Sequence, residues 1–260
     1  MKKPGVCVLR ADGINCDEET YHAFENAGAK CAMVHINQLR RGEKKLSGYQ
    51  ILALPGGFSY GDDVHSGKIL AVELISFLKE QLIEFVNNGK LVIGICNGFQ
   101  VLARTGLLPY RRLGEIKTTL MVNSSNHFEC RWVNLLVEST RCIFTRGMAG
   151  RIISVQVANG GGKFYTTPDT LQDIEDQGQV VFRYVGNDGS PTLSYPANPN
   201  GSLNAIAGIC DSTGRIMGMM PHPERCVGKT QHPNWRRLPD DISLCCQGIF
   251  NNAVEYARQM

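Results

Sequence analysis

The sequence predicts an α/β fold: a doubly wound, mostly parallel sheet flanked by helices, with a β-rich elaboration in its second half. Two observations carry this. In the first half, short apolar runs alternate with helical patterns at the spacing of parallel crossovers. One of these runs, Leu91–Ile95, is apolar throughout, as a strand covered on both faces must be. In the second half, five strand-like runs follow one another through Gly, Pro, Asn and Asp turns.

Val6–Leu9 is the first strand. A helix over Asp17–Ala27 follows, with Tyr21, Phe24 and Ala27 on one side, Asp17 as its N-cap and Gly28 as its stop. Cys31–Ile36 is the second strand, and Ile51–Leu54 the third, ended by Pro55-Gly56-Gly57. One long amphipathic helix is predicted from Ile69 to Asn87, because Leu70, Leu74, Phe77, Leu78, Leu82 and Phe85 recur at three and four. Leu91–Ile95 is the fourth strand, and the next helix begins at Gly98. The β-rich half reads as His127–Val137, Arg151–Val157, Val180–Val185, Ile206–Cys210 and Arg215–Met219. Asp241 is expected to cap a last helix carrying Ile242, Cys246, Ile249, Phe250, Ala253 and Ala257 on one face. No linker or repeat divides the chain, so residues 1–260 are expected to form a single domain.

Composition removes several classes of function. In 260 residues, 27 Lys and Arg against 24 Asp and Glu leave a net charge of +3, too little for a general nucleic-acid or anionic-membrane binder. No apolar run reaches the roughly 18–20 residues that span a bilayer. The N-terminus lacks the apolar stretch of a secretory signal, so a cytoplasmic location is expected. Ten cysteines without a C-x-x-C pair suggest neither a disulfide framework nor a structural zinc, and no metal is expected. Nine of them read as small buried apolar groups. The basic pairs Arg40-Arg41, Lys44-Lys45, Arg111-Arg112 and Arg236-Arg237 read as solvated surface.

Cys96 is the exception. It lies in Gly94-Ile95-Cys96-Asn97-Gly98, entered by an apolar strand and left by a helix. This is the G-x-nucleophile-x-G elbow with Cys in place of Ser. Glycines flank it because so sharp a turn crowds the backbone, and the helix N-terminus favours a thiolate. A cysteine merely packed between glycines is the plainer alternative, which the strand–elbow–helix context disfavours. A thiolate attacking a carbonyl also needs a proton shuttle and donors for the oxyanion. Of six histidines, His222 stands apart in Met220-Pro221-His222-Pro223-Glu224-Arg225. Two prolines hold it, and Glu224 can turn back to orient the ring. His22, His35, His65, His127 and His232 read as surface or packing residues. The loop Pro55-Gly56-Gly57-Phe58-Ser59-Tyr60-Gly61-Asp62 can aim N–H groups at an anion, and an oxyanion-donor role fits it best because it sits, like the Cys96 elbow, at the carboxyl end of a strand; an ordinary tight turn is the plainer alternative. It is not a P-loop: Gly67-Lys68 is followed by Ile69, and Asp62 stands where a glycine is required.

Three stretches, Gly-Ile-Cys-Asn-Gly-Phe-Gln (94–100), Pro-Gly-Gly-Phe-Ser-Tyr-Gly-Asp (55–62) and Pro-His-Pro-Glu-Arg (221–225), resemble the class I (triad) glutamine amidotransferases. Further stretches, including Tyr-Pro-Ala-Asn-Pro-Asn-Gly-Ser (195–202), narrow the likeness to a glutaminase subunit of purine biosynthesis. The resemblance implies a flavodoxin-like core and a Cys96, His222, Glu224 triad acting on L-glutamine. It implies an oxyanion hole from the N–H of Gly57 or Phe58 and of Asn97. Gly56, Gln100, Asn159 and Gly160 join these three as expected substrate-binding residues. It also implies a separate synthetase chain that uses ATP and magnesium, often with a small accessory subunit, and no cofactor in this chain. One departure stands out: the family's His-Gly-Glu-Gly run is here Asn159-Gly160-Gly161-Gly162, and three adjacent glycines suggest a mobile loop. That run lines the glutamine pocket or meets the synthetase.

Two other readings compete with this one. A cysteine hydrolase of the α/β-hydrolase kind places its acid before the histidine, whereas here Glu224 follows His222. A catalytically silent regulatory or binding module has only the changed 159–162 run in its favour.

Overall fold

A computed structural model describes residues 3–237 and 242–260, with side chains from residue 246 onward in the last helix. The strands in chain order are β1 (Gly5–Arg10), β2 (Lys30–His35), β3 (Ile51–Leu54), β4 (Leu91–Ile95), β5 (Thr118–Met121), β6 (Glu129–Val137), β7 (Ile152–Asn159), β8 (Lys163–Thr166), β9 (Val180–Val185), β10 (Ile206–Cys210) and β11 (Ile216–Met219). Nine of them form one sheet in the order β2-β1-β3-β4-β11-β10-β9-β6-β7, and β5 pairs with β8 in a separate ribbon. From β2 to β11 every pairing is parallel. From β11 to β7 every pairing is antiparallel. The doubly wound core and its β-rich elaboration thus share one sheet, with β11 as the seam.

The helices are α1 (Asp17–Asn26), α2 (Ile36–Arg40), α3 (Lys68–Phe77), α4 (Lys79–Asn87), α5 (Asn97–Thr105), α6 (Pro168–Asp176) and α7 (Ile242–Ala257). Parallel strands β1, β3 and β4 are buried on both faces, which is why their sequences are continuous apolar runs rather than alternating ones. Helix α7 packs on α1 through Phe250 and Phe24, whose rings meet edge to face at 5.0 Å. Both rings are fully buried, each contributing about 1.5–3 kcal/mol of transfer free energy.

Several expectations need correction. Asp17 is not the N-cap of α1 but its first residue. Cys16 occupies the cap without a side-chain cap bond. The Asp17 carboxylate instead meets Arg10 Nε at 2.6 Å. Strand β2 stops at His35 because His35 and Gln38 form a reciprocal cap that opens α2 at Ile36. The single helix expected over 69–87 is two. Leu78 (φ −122°, ψ 10°) breaks it, and Phe77 is exposed beneath the Arg40 guanidinium. A row spaced by four residues drifts about 40° around a straight helix at each step. The break resets that drift, so Leu70, Leu74, Leu78 and Leu82 all stay buried. Helices α2 and α6 and the β5–β8 ribbon were not anticipated. Thr167 capping α6, with Pro168 at its first position, was a readable signal. The cap expected at Asp241 lies outside the described residues. Among the basic pairs, Arg111 is not merely solvated: its Nε stands 3.8 Å from buried Asp211. Cys7 fits its packing role, with burial pushing its thiol up to about 12. Cys130 does not, since it is exposed on β6.

At the corner between β4 and α5, Cys96 adopts φ 51°, ψ −107°. Its N–H donates to Met219 O at 2.8 Å. A Cβ on Gly98 would stand 1.9 Å from Leu54 O, and one on Gly94 2.5 Å from Gly98 O. The glycines are therefore demanded by close backbone approach. Gly98→Ala is expected to lower stability by about 3 kcal/mol, the upper end for overpacking. Gly48→Ala, where an added Cβ meets nothing, should leave it unchanged. Urea midpoints of the two variants check this.

Candidate active site

Strands β3, β4 and β11 are adjacent and parallel, so their carboxyl ends open at one edge of the sheet. Register aligns Leu54 with Gly94 and Ile95 with Met219. The Gly56-Gly57 loop, Cys96 and His222 therefore emerge side by side. The backbone N–H of His222 donates to Gln156 O on β7 at 2.8 Å. Pro223 then starts a tight turn over Pro223–Cys226 that folds Glu224 back. Glu224 Oε1 accepts from His222 Nδ1 at 2.6 Å. Both side chains are buried.

Burial alone would lower the His222 pKa. The Glu224 carboxylate overrides it, and the sulfurs of Cys96 and Cys16 add to the effect, so the imidazole lies well above its ordinary value. The other ring nitrogen, Nε2, has no hydrogen-bond partner among the described residues. A Cβ on Gly56 would lie 2.7 Å from His222 Cε1 and 3.4 Å from the Cβ of Cys96. Only glycine leaves room there for the ring to face the cysteine.

Above Cys96 opens a cavity of about 540 Å³. Cys96 and Gln100 line its base, and Gly57, Phe58, Asn159, Gly160 and Gly161 line its sides. Five of the seven expected substrate-binding residues thus line it. Gly56 and Asn97 do not. Gly56 faces the histidine instead. The Asn97 side chain clamps the loop after β3: its Oδ1 accepts from Ser59 N at 3.2 Å, and its Nδ2 donates to Asp62 Oδ1 at 3.1 Å and Gln100 Oε1 at 2.9 Å. What Asn97 can offer a ligand is its backbone N–H at the open first turn of α5. The Phe58 N–H is taken by Gly13 O at 2.9 Å, which leaves Gly57 as the loop's candidate oxyanion donor.

The run 159–162 is tied down rather than left mobile. Asn200 Nδ2 donates to Asn159 Oδ1 at 2.7 Å, Gln100 Nε2 to Gly161 O at 2.6 Å, and Gly162 N to Asn123 Oδ1 at 2.8 Å. A Cβ on Gly162 would press within 2.6 Å of Asn159 Oδ1. Glycine here buys close packing, not freedom.

Other pocket residues were missed. Asp62, His65, Ser66 and Arg104 form a charged end of the cavity. His65 is exposed, as expected, and stands at the rim of the cavity. Arg104 was readable, standing one helical turn beyond Gln100 and two beyond Cys96 on the same face. Cys16 was also missed: Arg225 Nη2 donates to its sulfur at 3.0 Å, beside the histidine.

The family model of the CobB/CobQ-like glutamine amidotransferase domain matches residues 3–257. The chain belongs to this family. Similar proteins carry a more specific name. A Methanococcus maripaludis (strain C7) protein named phosphoribosylformylglycinamidine synthase subunit PurQ is 45% identical over 97% of each chain. A Dehalococcoides mccartyi protein of the same name is 44% identical over 100% of each. Among solved structures, one described as PurLQS from Thermotoga maritima superposes with a TM-score of 0.75, at 34% identity, over 98% of this chain and 99% of that one. The likeness agrees with the α/β fold read from the sequence. Among the described residues, no helix of this glutamine amidotransferase is long and apolar enough to cross a membrane.

The His222–Glu224 pair makes a titration prediction. Because the folded pKa is raised, the pair's stabilisation is complete below the ordinary imidazole value and fades as pH rises through the raised one. Glu224→Gln removes the negative partner and disfavours the imidazolium, so the His222 midpoint should move to lower pH. An NMR titration of the ring C–H in both proteins measures the direction.

Proposed function

We propose that this chain is the glutaminase subunit of a phosphoribosylformylglycinamidine synthase. It hydrolyses L-glutamine to glutamate and ammonia. The ammonia passes to a synthetase subunit that converts formylglycinamide ribonucleotide to formylglycinamidine ribonucleotide with ATP in purine (IMP) biosynthesis. The observation that carries this reading is the buried His222–Glu224 pair set against the strand–helix corner of Cys96, beneath a cavity large enough for an amino acid. The near full-length likeness to proteins named for that synthase supports the choice of pathway.

In this reading Cys96 attacks the side-chain amide carbon as a thiolate. The negative charge that develops on the amide oxygen is met by the N–H groups of Gly57 and Asn97. The imidazolium of His222, held by Glu224, gives its proton to the leaving ammonia, and a glutamyl thioester remains. Water, deprotonated by the now neutral His222, attacks the thioester, releases glutamate and restores the thiolate of Cys96 beside the imidazolium. The cavity's charged end suits the substrate's zwitterionic head: Arg104 and His65 face the α-carboxylate, and Asp62 the α-ammonium. Gln100 and the Asn159–Gly161 wall fix the chain between head and amide. The chain acts as one glutamine amidotransferase type 1 domain, residues 1–260, in the cytoplasm. It carries no cofactor of its own. ATP and magnesium belong to the synthetase partner, which a small accessory subunit joins.

The test is ammonia release from glutamine by purified protein, alone and with the cognate synthetase subunit. The partner should raise the rate, and Cys96→Ala should abolish it. Equal rates for wild type and Cys96→Ala would end the proposal. Arg104→Ala should raise the KM for glutamine about tenfold or more while largely sparing kcat, as expected when ground-state and transition-state binding fall together. Steady-state kinetics separate the two parameters.

A further inference from the structure

The Gly57 N–H belongs to a planar peptide group whose other pole is the Gly56 carbonyl. That carbonyl accepts from Asn15 N at 3.4 Å and from Cys16 N at 3.2 Å. With the oxygen held on one side, the N–H points to the other, so the loop after β1 sets its aim. The two loops continue as a short irregular ladder. Phe58 N donates to Gly13 O at 2.9 Å, and Tyr60 N to Asp12 O at 2.7 Å. A Cβ on Gly13 would stand 2.0 Å from Phe58 O, so the loops touch backbone to backbone.

The ladder ends on strained backbone. Tyr60 (φ 55°), Gly61 (φ 70°) and Asp62 (φ 55°) are all left-handed. Two of them carry side chains, and such strain persists only where the surroundings over-determine it. On the cavity side, Asn97 holds Ser59 and Asp62. On the outer side, the Tyr60 hydroxyl donates to Glu73 Oε2 on α3 at 2.5 Å, and Arg40 Nη1 on α2 donates to Glu73 Oε1 at 3.1 Å. Burial first, and then the Glu73 carboxylate, raise the Tyr60 pKa, so the hydroxyl stays a donor. Tyr60, Glu73 and Arg40 do not line the cavity, whereas Asp62 does. One left-handed turn thus fastens the loop on both sides.

We propose that Tyr60, Glu73 and Arg40 are positioning residues for the Gly57 N–H. They form a clamp from the outside of the loop to helices α2 and α3 that keeps the oxyanion donor aimed without touching substrate. The effect on the reaction rests on the glutaminase reading; the clamp itself does not. Loosening it leaves the pocket for the substrate's head intact but frees the Gly56–Gly57 peptide to turn. The donor meets charge that exists only in the transition state, so kcat and kcat/KM fall together. Losing an oxyanion donor outright costs about 10²–10³ in kcat, so a loosened one should cost about tenfold.

The test measures glutamine hydrolysis by the chain with its cognate synthetase subunit. Tyr60→Phe and Glu73→Ala should each lower kcat about tenfold, with KM within about twofold of wild type. The double variant should lose no more than either single one, because both break the same link. Glu73→Gln, whose amide oxygen still accepts the hydroxyl, should recover most of the rate. A second measurement needs no glutamine: native-state hydrogen exchange at the Phe58, Ser59 and Tyr60 amides should quicken in Tyr60→Phe and Glu73→Ala, while the amides of Val101 and Leu102 in α5 keep their wild-type protection. Wild-type kcat in Tyr60→Phe, a loss carried by KM instead, additive losses in the double variant, or exchange quickened equally in α5 would each overturn the clamp's positioning role. Exchange as expected in a protein that never hydrolyses glutamine would remove the functional reading and leave the clamp standing.

Discussion

The parallel pairing of β11 with β4 is the constraint on which the site depends. It brings Met219 level with Ile95, and the Cys96 N–H donates to Met219 O across that ladder. The next residues on each strand then leave the sheet at the same edge, one carrying the sulfur and the other, two positions further on, the imidazole. The long connection between them costs little extra to close, since loop entropy grows only with the logarithm of length. That connection is also put to use. It lays down the antiparallel strands β6, β7, β9 and β10, and β7 ends in the wall of the cavity, with Ala158 O 3.9 Å from Cys96 Sγ. The β-rich half is thus the back of the pocket rather than an appendage.

Around that ladder, function and stability pull against each other. Cys96 sits at positive φ, a conformation that costs a side-chain-bearing residue about 1–3 kcal/mol. Glu224 is a carboxylate taken out of water, an expensive group unless it is paired and hydrogen-bonded. Its partner His222 meets one oxygen, while Oε2 has no hydrogen-bond partner among the described residues. The apolar strands β1, β3 and β4, buried on both faces, supply the stability that such a site consumes. Gly56, Gly94 and Gly98 add no contacts of their own. They remove the atoms that would otherwise keep the histidine, the cysteine and the β3 loop apart.

Much of this was legible because the relevant signals are local. A wholly apolar run must be a doubly covered strand, a cysteine between glycines after such a strand must sit on a sharp corner, and a histidine between prolines is rigidly held. Signals that depend on neighbours misled. The leucine row over 70–82 looked like one helix, because a pattern cannot show where drift must be reset. The glycine-rich run 159–162 reads as mobile in sequence, because its partners Asn123, Asn200 and Gln100 come from three other parts of the chain. His65 reads as a surface residue and is exposed, but its place at the cavity rim is set by the loop after β3, which no local pattern shows.

By itself, the sequence determined the α/β class, the succession of the core strands along the chain, the elbow at Cys96 and the partnership of His222 with Glu224. Each follows from residues within a few positions of one another, where backbone sterics and burial periodicity leave few choices. Only the tertiary structure decided which N–H groups stay free, which charged side chains share the cavity, and that Cys16 stands beside the triad. Those facts depend on strand register and on packing between distant segments. There, shifts of a single ångström decide contact, and no local pattern encodes them.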